Sequence, residues 1–444
     1  MNSKRGGSLK SKSSLSFAIF GLLLGLFASM AAACRHTAKE PATITFIDTE
    51  WVHDTSGRVE VLNNTLRDFT KETGIQIRRI PAPEAANDQL SFIRGMLDKN
   101  TVDVVGIDVV WPGLLHEKLL DLKAFFPEET TRAEPELAAN FAVHDRFIAI
   151  PFHVNVGVLL YRADLLRNYG FQKPPKSWDE LEKMAAKIQA GERAKGIEDF
   201  WGFLWSGAPG EGLTCNALEW QFSQGGGHII EPDGVITVNN SNTIRSWQRA
   251  AKWIGTISPP AALSYREWDV MDLFHNKLKG VFLRTWTSDY FLSHPVDPII
   301  FGLEGITSLP GGSPSRAGTL GGFGLAISRS TSHQAEAVRL VKYLLQKEKE
   351  DSARRQQPPV GGPEMVDLPA ILSVGEPKSE RDRENSVVAR PSTVTGQKYA
   401  DVSRAYYRAV FSVLSGKAKA EDAVASLERQ LTQITGFPAQ SVPR

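Results

Sequence analysis

Residues 43–48, Thr-Ile-Thr-Phe-Ile-Asp, alternate polar and apolar positions and predict a first strand. Val59, Leu62, Leu66 and Phe69 then recur at three- and four-residue steps, predicting a helix that Gly74 stops. Ile75, Ile77 and Ile80 give a second alternating strand, and a helix follows around 88–98. Residues 102–108 are a short apolar run of buried-strand type, ending on Asp108. Strands alternating with helices predict an α/β fold with mostly parallel sheets. Further on, 147–160 reads as a long strand interrupted near Pro151, and 177–190 as a helix whose Ser177 and Glu180 form a capping box. Residues 281–284 and 324–328 look like short strands, separated by a Gly/Pro-rich piece at 309–322. A helix is expected at 335–345, then polar connections at 351–365 and 374–386. Two amphipathic helices, 402–414 and 421–434, close the chain. Trp201, Trp205, Trp220, Trp247, Trp253, Trp268 and Trp286 all fall between 200 and 290.

The chain has 444 residues, 42% hydrophobic and 23% charged, which is globular composition with room for two or three domains. Lys and Arg total 51 against 50 Asp and Glu, for a net charge of +1. Lys4, Arg5, Lys10 and Lys12 precede an apolar run at 15–33 that contains no acid, so residues 1–33 read as an export signal. Without those four cations the balance is 47 against 50, and neither value gives the basic field of a nucleic-acid partner. Met30-Ala31-Ala32-Ala33-Cys34 resembles a lipobox in which Cys34 is lipidated, with Ala31 where leucine is usual. Ordinary cleavage at an Ala-x-Ala site is the other reading. Residues 34–42 then form a tether, and the mature protein is expected at the periplasmic or extracellular face of the membrane. Two cysteines exclude a disulfide scaffold and a cysteine-ligated zinc, and a lipidated Cys34 leaves Cys215 without a partner. There is no P-loop and no GxSxG elbow, and Gly321-Gly322-Phe323-Gly324 is too short for a dinucleotide fingerprint. His144 and His153 are too far apart for helical zinc spacing. No cofactor and no metal are expected, and the missing motifs favour a binding protein over an enzyme.

Seven segments in order resemble the family-1 extracellular solute-binding proteins of ABC sugar importers, especially the trehalose/maltose-binding branch. They are 103–113, 149–162, 211–220, 253–260, Tyr265-Arg266-Glu267, 319–322 and Arg390-Pro391-Ser392-Thr393. The resemblance spans about 43–436. It implies a two-lobed, type II periplasmic-binding-protein-like fold with hinge crossovers and a ligand cleft. Lobe 1 is expected from 43–152 plus 286–330, and lobe 2 from 153–285 plus 331–444. It also implies a monomer that binds a sugar such as trehalose or maltose, serves ABC permease subunits and performs no catalysis. A glycoside-acting cleft enzyme is the rival reading, with Asp108 and Glu267 its only nominable carboxylate pair. A binding protein serving a sensor is a third.

Sugar hydroxyls need carboxylate, amide and guanidinium partners, and sugar C–H faces pack on aromatic rings. Asp108 ends an apolar strand, where open α/β sheets bind ligands. The resemblance makes it a sugar-hydroxyl acceptor, with Asn155 and Glu267 further polar ligands and Trp286 a stacking ring. By the same resemblance Arg390 reaches the sugar across the cleft. Gly321 and Gly322 would let backbone approach the sugar, and Glu50 is a further candidate. Ordinary structural roles stand beside these: a loop or cap for Asp108, hinge bonding for Asn155, an ion pair for Glu267, core packing for Trp286 and a plain turn for the glycines. Phe323 departs from a usual tryptophan, and His153-Val154-Asn155 from a more acidic stretch. Trp205 and Glu211 could line the pocket, with a core role the preferred reading of both.

Overall fold

The computed structural model describes residues 41–49, 58–83, 86–128, 135–288, 303–311, 316–355, 365–366 and 385–440. Its first unit follows from the alternation at the start of the chain. β1 (Thr43–Asp48) pairs in parallel with β2 (Gln76–Pro81) and β3 (Val104–Asp108), and α1 (Arg58–Thr73) and α2 (Ala86–Asp98) supply the connections. β3 is buried until Asp108, as expected for a strand covered on both faces.

Two long strands tie this unit to the rest. β4 (Ile150–Arg162) pairs its first half antiparallel with β8 (Arg316–Ile327). Its second half runs antiparallel to β6 (Gly280–Trp286) and β7 (Glu304–Ser308). β8 in turn lies antiparallel to β3 and, at its start, parallel to β9 (Asn385–Val388). β5 (Trp201–Leu204) extends the second sheet in parallel with β6. The sheets are therefore mixed: parallel within the βαβ unit, antiparallel wherever β4 and β8 cross. The interruption expected near Pro151 is an irregularity inside β4, where the register with β8 shifts between Phe323 and Gly324. Proline gives no N–H to a ladder, and such a shift accommodates it.

Two main cores result. One gathers Ile44, Phe46, Val105, Ile107, Ile150 and Leu325. The other is built on α3 (Trp178–Ala194), α4 (Glu211–Ser223), α5 (Ser241–Trp253), α7 (Tyr399–Leu414) and α8 (Ala420–Thr435), with Leu181, Trp205, Leu218, Trp247, Tyr406 and Leu427 buried among them. Packing divides the chain differently from the expected lobe boundaries. α6 (Gln334–Arg355) buries Ala337, Leu340, Val341 and Leu344 in the first core, not the second. β7 pairs with the far half of β4 and packs Ile306 with Leu160 and Leu283, away from the first core. Hydrophobic spacing predicts a helix but carries no signal for the body it covers.

Ser177 caps α3 by accepting the Glu180 N–H at 3.2 Å. The returning bond is displaced by one residue, since Glu180 accepts the Lys176 N–H at 2.7 Å. Trp205, Trp220, Trp247 and Trp253 are core residues, whereas Trp268 is half exposed. Cys215 lies buried in α4 as a free thiol, and burial pushes it up to about 12, which leaves it unreactive at neutral pH.

Candidate functional site

The end of β3 delivers Asp108 to the junction of the two bodies. Its Oδ1 accepts the Val110 N–H at 3.0 Å and faces Arg390 Nη2 at 3.4 Å. Burial raises this carboxyl above its ordinary 3.8; Arg390 opposes the shift, and Glu211 and Glu267 add to it. Arg390 follows β9 and its side chain is 3% exposed. Nη1 donates to Glu211 Oε1 at 2.8 Å, and Nη2 also donates to the Leu320 carbonyl at 3.2 Å. Burial would lower its pKa, yet Cys215, Tyr399, Asp108 and Glu211 together raise it, so the guanidinium stays charged.

Glu211 opens α4 directly after Gly210. Besides Arg390 it accepts the Tyr399 hydroxyl on Oε1 and the Ser403 hydroxyl on Oε2 at 2.6 Å. Burial and Glu211 push the Tyr399 phenol well up, so it remains a donor. Between these groups opens a narrow cleft, with Asp108, Trp111 and Leu114 from one body and Glu211, Ser403 and Tyr407 from the other.

Trp286 ends β6, and its indole is held on several sides. Nε1 donates to Glu267 Oε1 at 2.8 Å, and the Arg284 guanidinium lies 4.2 Å from the ring centre. Arg284 is itself fixed by a buried pair with Glu219, at 2.5 and 2.9 Å. A Cβ at Gly321 would come within 2.6 Å of the indole Cζ3, so only glycine lets the ring lie against β8. Gly322 has φ +117°, and a Cβ there would meet the His153 carbonyl oxygen at 2.1 Å. Its absent side chain thus serves strand packing. Asn155 stands opposite Gly321 in the β4–β8 ladder, half-buried. Glu267 Oε1 would lie 3.5 Å from a Cβ at Gly212, which sets it beside the first turn of α4.

Sequence reading and structure thus meet at several points. Asp108 and Arg390 touch; Glu267 and Trp286 are bonded; Gly321 packs on Trp286, and Asn155 faces Gly321 across the ladder. Glu50 and Cys34 lie outside the described residues. Trp205 is core as expected, its Nε1 bonded to Ser258 Oγ at 3.0 Å. Glu211 takes the less favoured of its two readings: it lines the cleft, with its side chain 26% exposed, instead of the core. It begins a helix, where an acid complements the positive helix end, and Gly210-Glu211-Gly212 leaves it uncovered. Tyr399, Ser403 and Trp111 were not singled out from sequence. The available signal was Tyr399 and Ser403 at i, i+4, one turn of polar groups on an otherwise apolar helix face.

Asp108 yields a test of opposing effects. An acid whose native pKa lies above 3.8 binds more protons folded than unfolded, so stability falls as pH rises from below 3.8 through the native value. Asp108→Asn removes that loss, and its urea midpoint at neutral pH is expected at or above wild type. Affinity for ligand should nonetheless fall roughly ten- to a hundredfold, the worth of a bond to a charged acceptor. A lower midpoint with unchanged affinity by calorimetry would assign Asp108 to scaffolding alone.

Comparison with known proteins adds the following. The sequence profile described as bacterial extracellular solute-binding protein matches residues 55–351. A probable ABC transporter-binding protein of Deinococcus radiodurans is 37% identical over 424 residues, which is 94% of this chain and 99% of that one. Maltose-bound T. maritima MalE3 superposes with a TM-score of 0.73 at 26% identity, covering 88% of this chain and 100% of that one. A solute-binding protein from Thermotoga lettingae with bound α-D-tagatose gives 0.73 at 20% identity over 89% and 100%, a likeness of fold alone.

Proposed function

From its membership of the bacterial extracellular solute-binding proteins, we propose that this chain captures a sugar and hands it to an ABC permease. The observation that carries the sugar is an indole held by a carboxylate next to the cleft: Trp286 is bonded to Glu267, which lies beside the first turn of α4, and that turn brings Glu211 to the cleft with Asp108. Carboxylates accept from hydroxyls, and an indole face covers a sugar's C–H surface. Trehalose, maltose or a related disaccharide is the ligand class proposed, and the maltose carried by the T. maritima relative supports it. No covalent step is needed. A sugar that bridges both bodies favours the closed arrangement over the open one, and that population shift is the signal to the permease. The protein is proposed to act as a monomer.

A thermal-shift screen over mono- and disaccharides tests this reading. A ligand that binds only the native state raises the melting temperature in proportion to the logarithm of its concentration above Kd. A bound disaccharide recovered intact after long incubation is the expected companion result. Release of glucose from trehalose or maltose would turn the reading toward a glycoside-acting enzyme, and no shift with any sugar would remove the sugar.

Delivery to a permease is best served by tethering, and Cys34 is proposed as the lipidated first residue of the mature protein. Cys34→Ser is expected to move the protein from the membrane fraction to the soluble one. Mass spectrometry finding an unmodified N-terminus elsewhere on the native protein would end the anchor proposal.

A further inference from the structure

Hydrogen-bonding capacity around the cleft is unevenly committed. The donors set directly against the carboxylates are already engaged. Arg390 gives Nη1 to Glu211 and Nη2 to Asp108 and the Leu320 carbonyl. Its Nε is sealed from solvent with no partner among the described residues. Trp286 Nε1 donates to Glu267, and the Tyr399 and Ser403 hydroxyls donate to Glu211. The acceptors are not exhausted. The bonds of Asp108 fall on Oδ1 and that of Glu267 on Oε1. Asp108 Oδ2 and Glu267 Oε2 therefore have no hydrogen-bond partner among the described residues, and the Asp108 side chain is 21% exposed.

Charge is uneven in the same sense. Glu211 and Glu267 both add negative charge around Asp108, and Arg390 is set against Asp108 and Glu211. Arg284 is already neutralised by Glu219. Arg404 stands at the cleft edge, half exposed, and is paired with Asp401 at 2.9 Å. A ligand that enters thus meets open acceptors and surplus negative charge. Hydroxyls suit the acceptors. An ammonium suits them better, because it donates three hydrogen bonds, accepts none and carries the missing positive charge. A carboxylate or phosphate only accepts. It would find Arg390 already committed to two carboxylates and would lose hydration beside like charges.

Resting on the sugar-binding reading above, we propose that the cleft selects a sugar bearing a protonated amine over the same sugar without one, and excludes sugar acids and sugar phosphates. The amine sits against Asp108 Oδ2, while the remaining hydroxyls and the ring lie toward Glu267 and Trp286.

Calorimetry on the whole mature protein tests this with matched series built on glucose, maltose and trehalose. Each series holds the parent, an amino-deoxy derivative, the uronate and the phosphate ester, all at a pH where the amine is protonated. In the series that binds, the amine is expected to bind about tenfold or more tighter than the parent, and the two anions at least tenfold weaker. Asp108→Asn, checked for folding by circular dichroism, should erase most of the amine's advantage and narrow the gap to the uronate. A parent that binds while its amine gains nothing, or a uronate or phosphate that binds as tightly as the parent, overturns this selectivity and leaves the sugar reading standing. Advantage retained in Asp108→Asn overturns the placement of the amine. No binding in any series, parents included, overturns the sugar reading and this inference with it.

Discussion

Arg390→Ala is expected to lower the stability of the unliganded protein by about 3–5 kcal/mol, the usual result of removing one partner from a buried charge cluster. The guanidinium is 3% exposed and joins Asp108 from the first body to Glu211 from the second, with the Leu320 carbonyl between them. Without it a carbonyl loses a donor and two carboxylates each lose one donor and their counter-charge inside the protein, where an unpaired charge is far more costly than at the surface. An arginine reaching across an open, wet cleft would be dispensable for folding; this one is not placed that way. The urea midpoint should therefore fall in the absence of any sugar. Arg390→Met combined with Glu211→Gln should recover part of the loss, because the second change removes the charge that the first one orphans. A midpoint equal to wild type with only sugar affinity reduced would make Arg390 a ligand contact and nothing more.

Arg390 was legible as a residue of the cleft but its buried bridging position was not, and other residues divide in the same way. Alternation at 43–48 and the apolar run ending at Asp108 marked β1 and β3 because strand periodicity is local, and Asp108 at a strand end was legible for the same reason. The candidate residues Glu267, Trp286 and Gly321 were also identifiable, from a resemblance spread over the chain. Their mutual contacts were not, since the indole-to-carboxylate bond and the bare Cα under the ring depend on how β6 and β8 cross. Glu211 was weighted toward the core for a related reason. An acid among Leu213, Cys215, Ala217 and Leu218 reads as part of a buried helix, and only the arrival of Tyr399, Ser403 and Arg390 from nearly 200 residues away makes it a cleft group. Allocation of α6 to the first core failed at the same level. Its apolar stripe is plain in sequence, but which surface it covers is decided by the return of β8.

Trp286→Ala is expected to weaken sugar binding by about 2–4 kcal/mol, in the range of a buried aromatic hot spot. The indole is half-buried, not core, and its environment defines a support more than a packing site: Arg284 lies 4.2 Å from the ring centre, Gly321 beneath an edge, and Glu267 on Nε1. Truncation removes the ring that would cover a sugar's C–H surface, and it also frees Glu267 to move from the position that the indole N–H fixes. Both losses act on the ligand. The core beneath is spared, because Arg284 keeps its pair with the fully buried Glu219, and Glu219 keeps the Thr319 N–H at 3.0 Å. The melting temperature without sugar should accordingly stay close to wild type. Trp286→Phe should restore part of the affinity, since it returns a ring but no N–H for Glu267. The shortfall of phenylalanine against tryptophan then measures the smaller ring together with the lost bond. Adding Glu267→Gln to the Trp286→Phe variant separates them: if the bond matters, the second change adds little there and more in wild type. A large stability loss in unliganded Trp286→Ala, with sugar affinity per folded molecule intact, would instead place the indole in the scaffold and remove the stacking surface from the site.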